Sequence, residues 1–348
     1  FMAKVTDVFK ANAGQVVFIC DFSPPRGANL DILNQARYID ADFIDVAYNP
    51  GRSVRVNSAI AAYEIKRSTG KEVIFNLITR DINKLGTQSL LMGAQVLGLE
   101  NVVVAKGDSF TDRELDMVSK VDDFSTTGLT EAIASMNMGE DYRGVKFRLH
   151  TDFCVGCTMD LSRGVEREAR LTYRKVQSSA HFFVVQSVFD VGVVKRFQEA
   201  YARISGGPLQ QPIFYALQIL EKDGVVFTEV PDQLLRDLRK GRSAIDIALE
   251  ILHNLVEAGV RGIYLIPPVR KGGLRDYVPT KEKGGDWAKK FPSEEDVLAH
   301  VDPERNYRER ALSEHQVRES SRALRMVAQL GEFGRTKKED FLSEAGKS

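Results

Sequence analysis

Residues 17–27 read VFICDFSPPRG. The run from Val17 to Phe22 is apolar on both alternating faces except at Asp21, the pattern of a parallel strand covered on both sides. Asp21 closes this strand, and Pro24 and Pro25 follow almost at once. Each proline fixes its own φ and biases the residue before it toward extended geometry, so the exit loop is held rigid beside a carboxylate.

The same texture repeats outward from this stretch. Short β-rich runs occur at 16–22, 43–47, 72–78, 101–105, 153–157, 181–186, 212–218 and 262–266. Between them lie segments with apolar residues three and four apart, such as 30–39, 56–68, 88–97, 161–176 and 245–258. Eight strands alternating with helices predict an α/β fold, the (β/α)8 TIM barrel, over residues 1–270. A doubly wound open sheet is the alternative, weakened because no G-x-G-x-x-G turn follows the first strand. Beyond residue 270 the chain turns polar and weakly periodic, and a helical pattern returns at 304–330 through Leu312, Val317, Leu324 and Val327. Residues 271–348 are therefore expected to form an excursion and a C-terminal helix packed on the barrel.

Lysine plus arginine and aspartate plus glutamate number 48 each, so no net field recommends nucleic acid or an anionic membrane as a partner. No apolar run reaches the length of a membrane helix, no signal-peptide zoning opens the chain, and Phe1 ahead of Met2 reads as a cloning remnant. Three cysteines argue against a disulfide scaffold, and a cytoplasmic location is expected. A homo-oligomer and an electron-transfer partner protein both stay open.

In such a barrel, chemistry is built where strands end, so polar residues closing apolar strands carry weight. Asp21 is one; it is a positioned acid or base, or else a turn cap or the partner of an arginine such as Arg26. In VVVAKGDSF (102–110) the fourth strand runs into Lys106, Gly107 and Asp108; glycine permits close approach of a ligand, and Asp108 either enters the mouth or caps a helix. Gln186 closes the sixth strand with an amide suited to one edge of a flat heterocycle, or is a solvated cap. Arg80 and Asp81 read first as an ion pair fixing a loop. Cys154 and Cys157, three apart on one strand, face opposite sides and are expected to be buried. With no second C-x-x-C and no paired-histidine spacing, no metal site is expected. The arginine-rich helix at 161–176 is partly a solvated face, its remainder suited to a phosphate-bearing ligand.

Taken together and in order, SPPRG after an acidic strand end, RDINKLGTQSLLMGAQVLGLENVVVAKGD (80–108) and FFVVQSVFD (182–190) resemble the methylenetetrahydrofolate reductase family. The resemblance spans about residues 15–270. It implies a barrel holding non-covalent FAD, reduced by NADH or NADPH, that passes hydride to a tetrahydrofolate derivative. By the resemblance, Asp21 would be the general acid and Asp108 a second catalytic and substrate contact. Gln186 would touch the pterin, Asn76, Lys106, Gly107 and Asp108 would face the flavin, and Arg174 and Lys175 its phosphates. The chain departs from the family's usual residues: Asp21 replaces glutamate, Ala47 threonine, Asn76 histidine, Lys106 arginine, Val185 threonine and Met159–Asp160 an N-P pair. A flavin-free reductase, a folate-binding or electron-transfer subunit and a methyltransferase barrel stand as alternatives.

Overall fold

The computed structural model describes residues 3–221 and 224–268. Eight parallel strands close into a barrel in sequence order: β1 (Val17–Phe22), β2 (Phe43–Val46), β3 (Val73–Ile78), β4 (Asn101–Ala105), β5 (Cys154–Met159), β6 (Phe182–Ser187), β7 (Ile213–Gln218) and β8 (Gly262–Ile266). The helices are α1 (Val5–Ala11), α2 (Leu30–Asn34), α3 (Ser58–Thr69), α4 (Lys84–Val96), α5 (Asp112–Leu115), α6 (Thr126–Asn137), α7 (Val165–Gln177), α8 (Gly192–Ser205), α9 (Asp232–Arg239) and α10 (Ala244–Glu257). The excursion and C-terminal helix expected over 271–348 lie outside the described residues.

Side chains of period two build two apolar layers. Ile19, Phe43, Ile74, Val103, Phe182 and Phe214 fill the barrel interior. Their neighbours Cys20, Ile44, Phe75, Val102 and Phe183 face the surrounding helices. Cys154 belongs to the inner layer and Cys157 to the outer, so the two thiols are buried on opposite faces and free, as their spacing predicts.

The short helix α1 stoppers the N-terminal end. Val5 is fully buried, Val8 and Phe9 pack on the interior cluster, and the Phe9 ring meets Phe214 edge-on at 5.7 Å. Asn101 accepts the Val5 N–H at 3.0 Å, and Arg261 donates to the carbonyls of Phe9 and Asn12 while stacking on the Phe9 ring.

Local chemistry moved several boundaries. The helix expected at 161–176 begins as a 3-10 turn, Leu161–Arg163, capped by the Asp160 side chain; Gly164 at φ 105° then resets the backbone before α7. β5 runs two residues past its expected end because Thr158 and Met159 keep pairing with Val184 and Val185. α4 starts four residues early because the Asn83 side chain caps Gly86.

Gly156 is an inward position of β5 that only glycine fits. A Cβ there would lie 2.3 Å from the Phe182 ring, itself wedged against Phe214 at 6.0 Å. Gly156→Ala is expected to lower stability by about 1–3 kcal/mol through overpacking, read as a lower denaturant midpoint with an unchanged slope. An unchanged midpoint would show that Phe182 can move aside.

Candidate functional site

The barrel's C-terminal mouth holds a cluster contributed by four strands. Asp21 and Asp45 are register partners on β1 and β2, so their side chains rise side by side on the inner face. Asp45 retains 2% of its surface, whereas Asp21 is partly exposed toward the mouth. Tyr264 on β8 pairs with Ile19, one layer below Asp21. The length of its ring brings the hydroxyl up between the two carboxylates, 3.1 Å from Asp21 Oδ1 and 2.7 Å from Asp45 Oδ2. From β3, Asn76 Nδ2 donates to Asp45 Oδ1 at 2.9 Å and to the Val46 carbonyl at 3.2 Å.

Two adjacent carboxylates in a low-dielectric barrel do not both ionise freely. Burial is the main cause that raises both Asp21 and Asp45 above the ordinary carboxylate range; the Tyr264 hydrogen bond opposes it at both, and repulsion between the two carboxylates adds to it. Burial, and then the two carboxylates, push the Tyr264 phenol well above its ordinary value. The arginine whose charge favours the ionised form of Asp21 is Arg55, from the loop after β2.

Arg55 also locks the proline exit. Its Nη1 donates to the Pro24 carbonyl at 2.7 Å, and the next residue, Val56, donates its N–H to the Pro25 carbonyl at 2.9 Å. Both prolines are buried. The loop after β1 is thereby fixed to the loop after β2, directly above the carboxylates. Arg26, the partner considered from sequence, donates to Ser53 Oγ at 3.3 Å.

At the exits of β3 and β4, Arg80 grips its neighbour Asp81 through two nitrogens, at 2.5 and 2.9 Å. It also donates to the Asp108 carbonyl at 2.6 Å and lies 4.2 Å over the Phe110 ring. This is the structural ion pair expected from sequence, with the added function of holding the 106–110 loop. Gly107 takes φ +82°, and a Cβ there would meet Ile78 at 2.9 Å, so the loop requires glycine. Lys106 and Asp108 are exposed on either side of it.

Gln186 sits at an irregularity: β6 pairs Val185 with Tyr215 but Ser187 with Ala216, so Gln186 is the extra, exposed residue of a bulge. Bulges re-aim side chains beside functional sites. Ser187 reaches Gln218 at 3.3 Å, and Gln218 holds the following loop through the Val225 carbonyl.

The basic pair of α7 divides. Lys175 is buried, its ammonium donating to the Thr158 carbonyl at 2.5 Å and to Glu168 at 3.3 Å, whereas Arg174 is exposed in the last turn. Lys175 is thus engaged within the protein and does not fit a phosphate contact. The donor nitrogen of Asn76 is likewise engaged by Asp45 and Val46. Among the residues expected at a flavin, Lys106, Asp108 and Arg174 have exposed side chains, and Gly107 between the first two has its Cβ direction filled by Ile78.

Asp45, Tyr264 and Arg55 were not singled out from the sequence. Asp45 precedes the last strand residue, and Tyr264 reads as one more apolar residue in GIYLI. A usable signal was the shared phase of ICDF and FIDV, each with a lone carboxylate one residue before an apolar strand end.

A solved structure described as an uncharacterized protein from Clostridium thermocellum that binds two copies of 5-methyl-5,6,7,8-tetrahydrofolic acid shows the same architecture; it is 13% identical, with TM-score 0.54, covering 85% of this chain and 98% of that one. A putative lyase/mutase from Burkholderia cenocepacia J2315 is 11% identical, with TM-score 0.45, covering 86% and 93%. No curated protein sequence matches significantly. The family whose sequence pattern matches is methylenetetrahydrofolate reductase, over residues 6–268, which takes in every strand of the barrel and both carboxylates at its mouth, and the chain belongs to that family.

Proposed function

We propose that the chain reduces 5,10-methylenetetrahydrofolate to 5-methyltetrahydrofolate, or runs the reverse oxidation, with Asp21 as the general acid. The observation that carries this reading is a carboxyl at the barrel mouth, held by Tyr264 and raised by burial toward neutral pH, where a proton donor is effective. Family membership supports the reaction class, and likeness to a barrel described as binding methyltetrahydrofolate supports folate as the ligand class.

The chemistry needs a proton before it needs a hydride. Asp21 donates to a nitrogen of the five-membered ring, the carbon–nitrogen bond opens, and a cationic iminium forms beside the carboxylate left behind. Asp108 adds negative charge at the mouth, and the exposed Gln186 amide offers a donor and an acceptor to the pterin edge. Lys106, Gly107, Asp108 and Arg174 would hold FAD. When bound there, FAD supplies the hydride, received from NADH or NADPH.

A flavin-free reductase, taking hydride directly from the nicotinamide, is the second reading. It is favoured by the engagement of Asn76 and Lys175 within the protein. An absorbance scan separates the two. Flavin bands that bleach with anaerobic NADH or NADPH and return with methylenetetrahydrofolate are expected. Absence of the bands after incubation with FAD, with folate reduction intact, would establish the flavin-free enzyme; absence of both activities would overturn the reductase reading.

A further inference from the structure

The Tyr264 hydroxyl contacts two carboxylates but carries one hydrogen, so it can donate to only one of them. The other contact is a hydrogen bond only if that carboxyl carries a proton and donates to the phenol oxygen. The partners decide which is which. Asp45 receives Asn76 Nδ2–H on Oδ1, an unambiguous donor, and has the shorter Tyr264 contact, 2.7 Å, as expected for a hydroxyl donating to an ionised oxygen. Asp21 has the longer contact, 3.1 Å, and is the member partly exposed toward the mouth.

We infer that Asp45, ionised and sealed beneath the mouth, holds the working proton on Asp21 through Tyr264, so that Asp45 and Tyr264 are positioning residues for the acid. That Asp21 is the acid rests on the function proposed above; the location of the proton does not. Among the described residues, the charged and titratable groups facing the pair are Tyr264 from β8 and Arg55 from the loop after β2; Asn76 from β3 is neutral. When Asp21 donates, its O–H bond breaks as the substrate N–H bond forms, leaving two ionised carboxylates around one hydroxyl. That repulsion draws a proton back from solvent at the exposed side of Asp21, restoring the starting arrangement.

The carboxyl C=O stretch of the intact protein, followed by infrared difference spectroscopy against pH, reads this without turnover. The wild type is expected to show one protonated carboxyl below neutral pH, and Asp21→Asn to lose it. In Asp45→Asn its midpoint should fall by at least about one pH unit, because the neighbouring negative charge is gone. Tyr264→Phe keeps the ring packing, and the band must shift there because the acid loses its acceptor. A band surviving in Asp21→Asn, a midpoint unmoved in Asp45→Asn, or an unmoved band in Tyr264→Phe would each overturn the inference. In the reductase assay, Asp45→Asn should lower kcat about tenfold or more above pH 7 with little change in KM, and Asp45→Glu should restore part of it. A chain with no reductase activity but the infrared pattern intact would refute the proposed function while leaving the proton arrangement standing.

Discussion

On the proposed function, asparagine in place of Asp21 is expected to abolish reduction of the folate while leaving reduction of FAD by the nicotinamide at the wild-type rate. Only the folate half-reaction requires a proton on the leaving nitrogen, and a positioned general acid contributes roughly 10²–10⁴-fold to such a step. The amide is nearly isosteric with the carboxyl and keeps a hydrogen bond to Tyr264, so packing at the top of β1 is preserved. Rapid mixing of the protein with NADH, and then of the reduced protein with methylenetetrahydrofolate, resolves the two halves. If both proceed at wild-type rates, Asp21 is a structural residue and the acid lies elsewhere.

The second large effect is on stability against pH. In the unfolded chain each carboxyl titrates near 3.8, whereas in the fold burial raises both Asp21 and Asp45 toward neutrality. As pH rises toward neutral, the folded pair keeps a proton that the unfolded chain has already released. Raising pH through this window therefore removes stability, the reverse of an ordinary ion-paired carboxylate. His181, pushed down chiefly by burial, acts in the opposite sense below its ordinary value of 6.5. Comparing wild type with Asp45→Asn cancels the histidine's contribution. The stability of Asp45→Asn relative to wild type is expected to rise by a few kcal/mol between pH 5 and pH 8, since a tenfold change in an ionisation constant corresponds to about 1.4 kcal/mol. Urea melts at a series of pH values provide the check, and a difference independent of pH would show that the pair is not held protonated.

The barrel was legible in the sequence because each strand is apolar on both faces, a pattern that only a sheet covered on both sides sustains. The helix starts were less legible: the caps at Asn83 and Asp160 and the reset at Gly164 depend on single side chains and one backbone angle rather than on periodicity. Weighting polar residues near strand ends singled out Asp21, which lies in the cluster; it also selected Asp108 and Gln186, which are exposed at the ends of other strands. It passed over Asp45 and Tyr264 because their meaning comes from register: β1 aligns Asp21 with Asp45, and β8 places Tyr264 one layer below. The register of β1 with β8 joins the two ends of the barrel and is not written in either strand, whereas the common phase of β1 and β2 was there to be read. The engagement of Lys175 was hidden for the same reason, since the carbonyl it meets belongs to β5 and not to its own helix.

The α1 stopper bears on how turnover is ordered. With Phe9 and Val5 seated at the lower end and tied to Asn101 and Arg261, the described residues close the packed interior there and leave the chemistry to the opposite end, where the strands finish. On the proposed function, electron donor and folate are both met at that one end, so an excess of either hinders the other and throughput follows the balance of the two supplies.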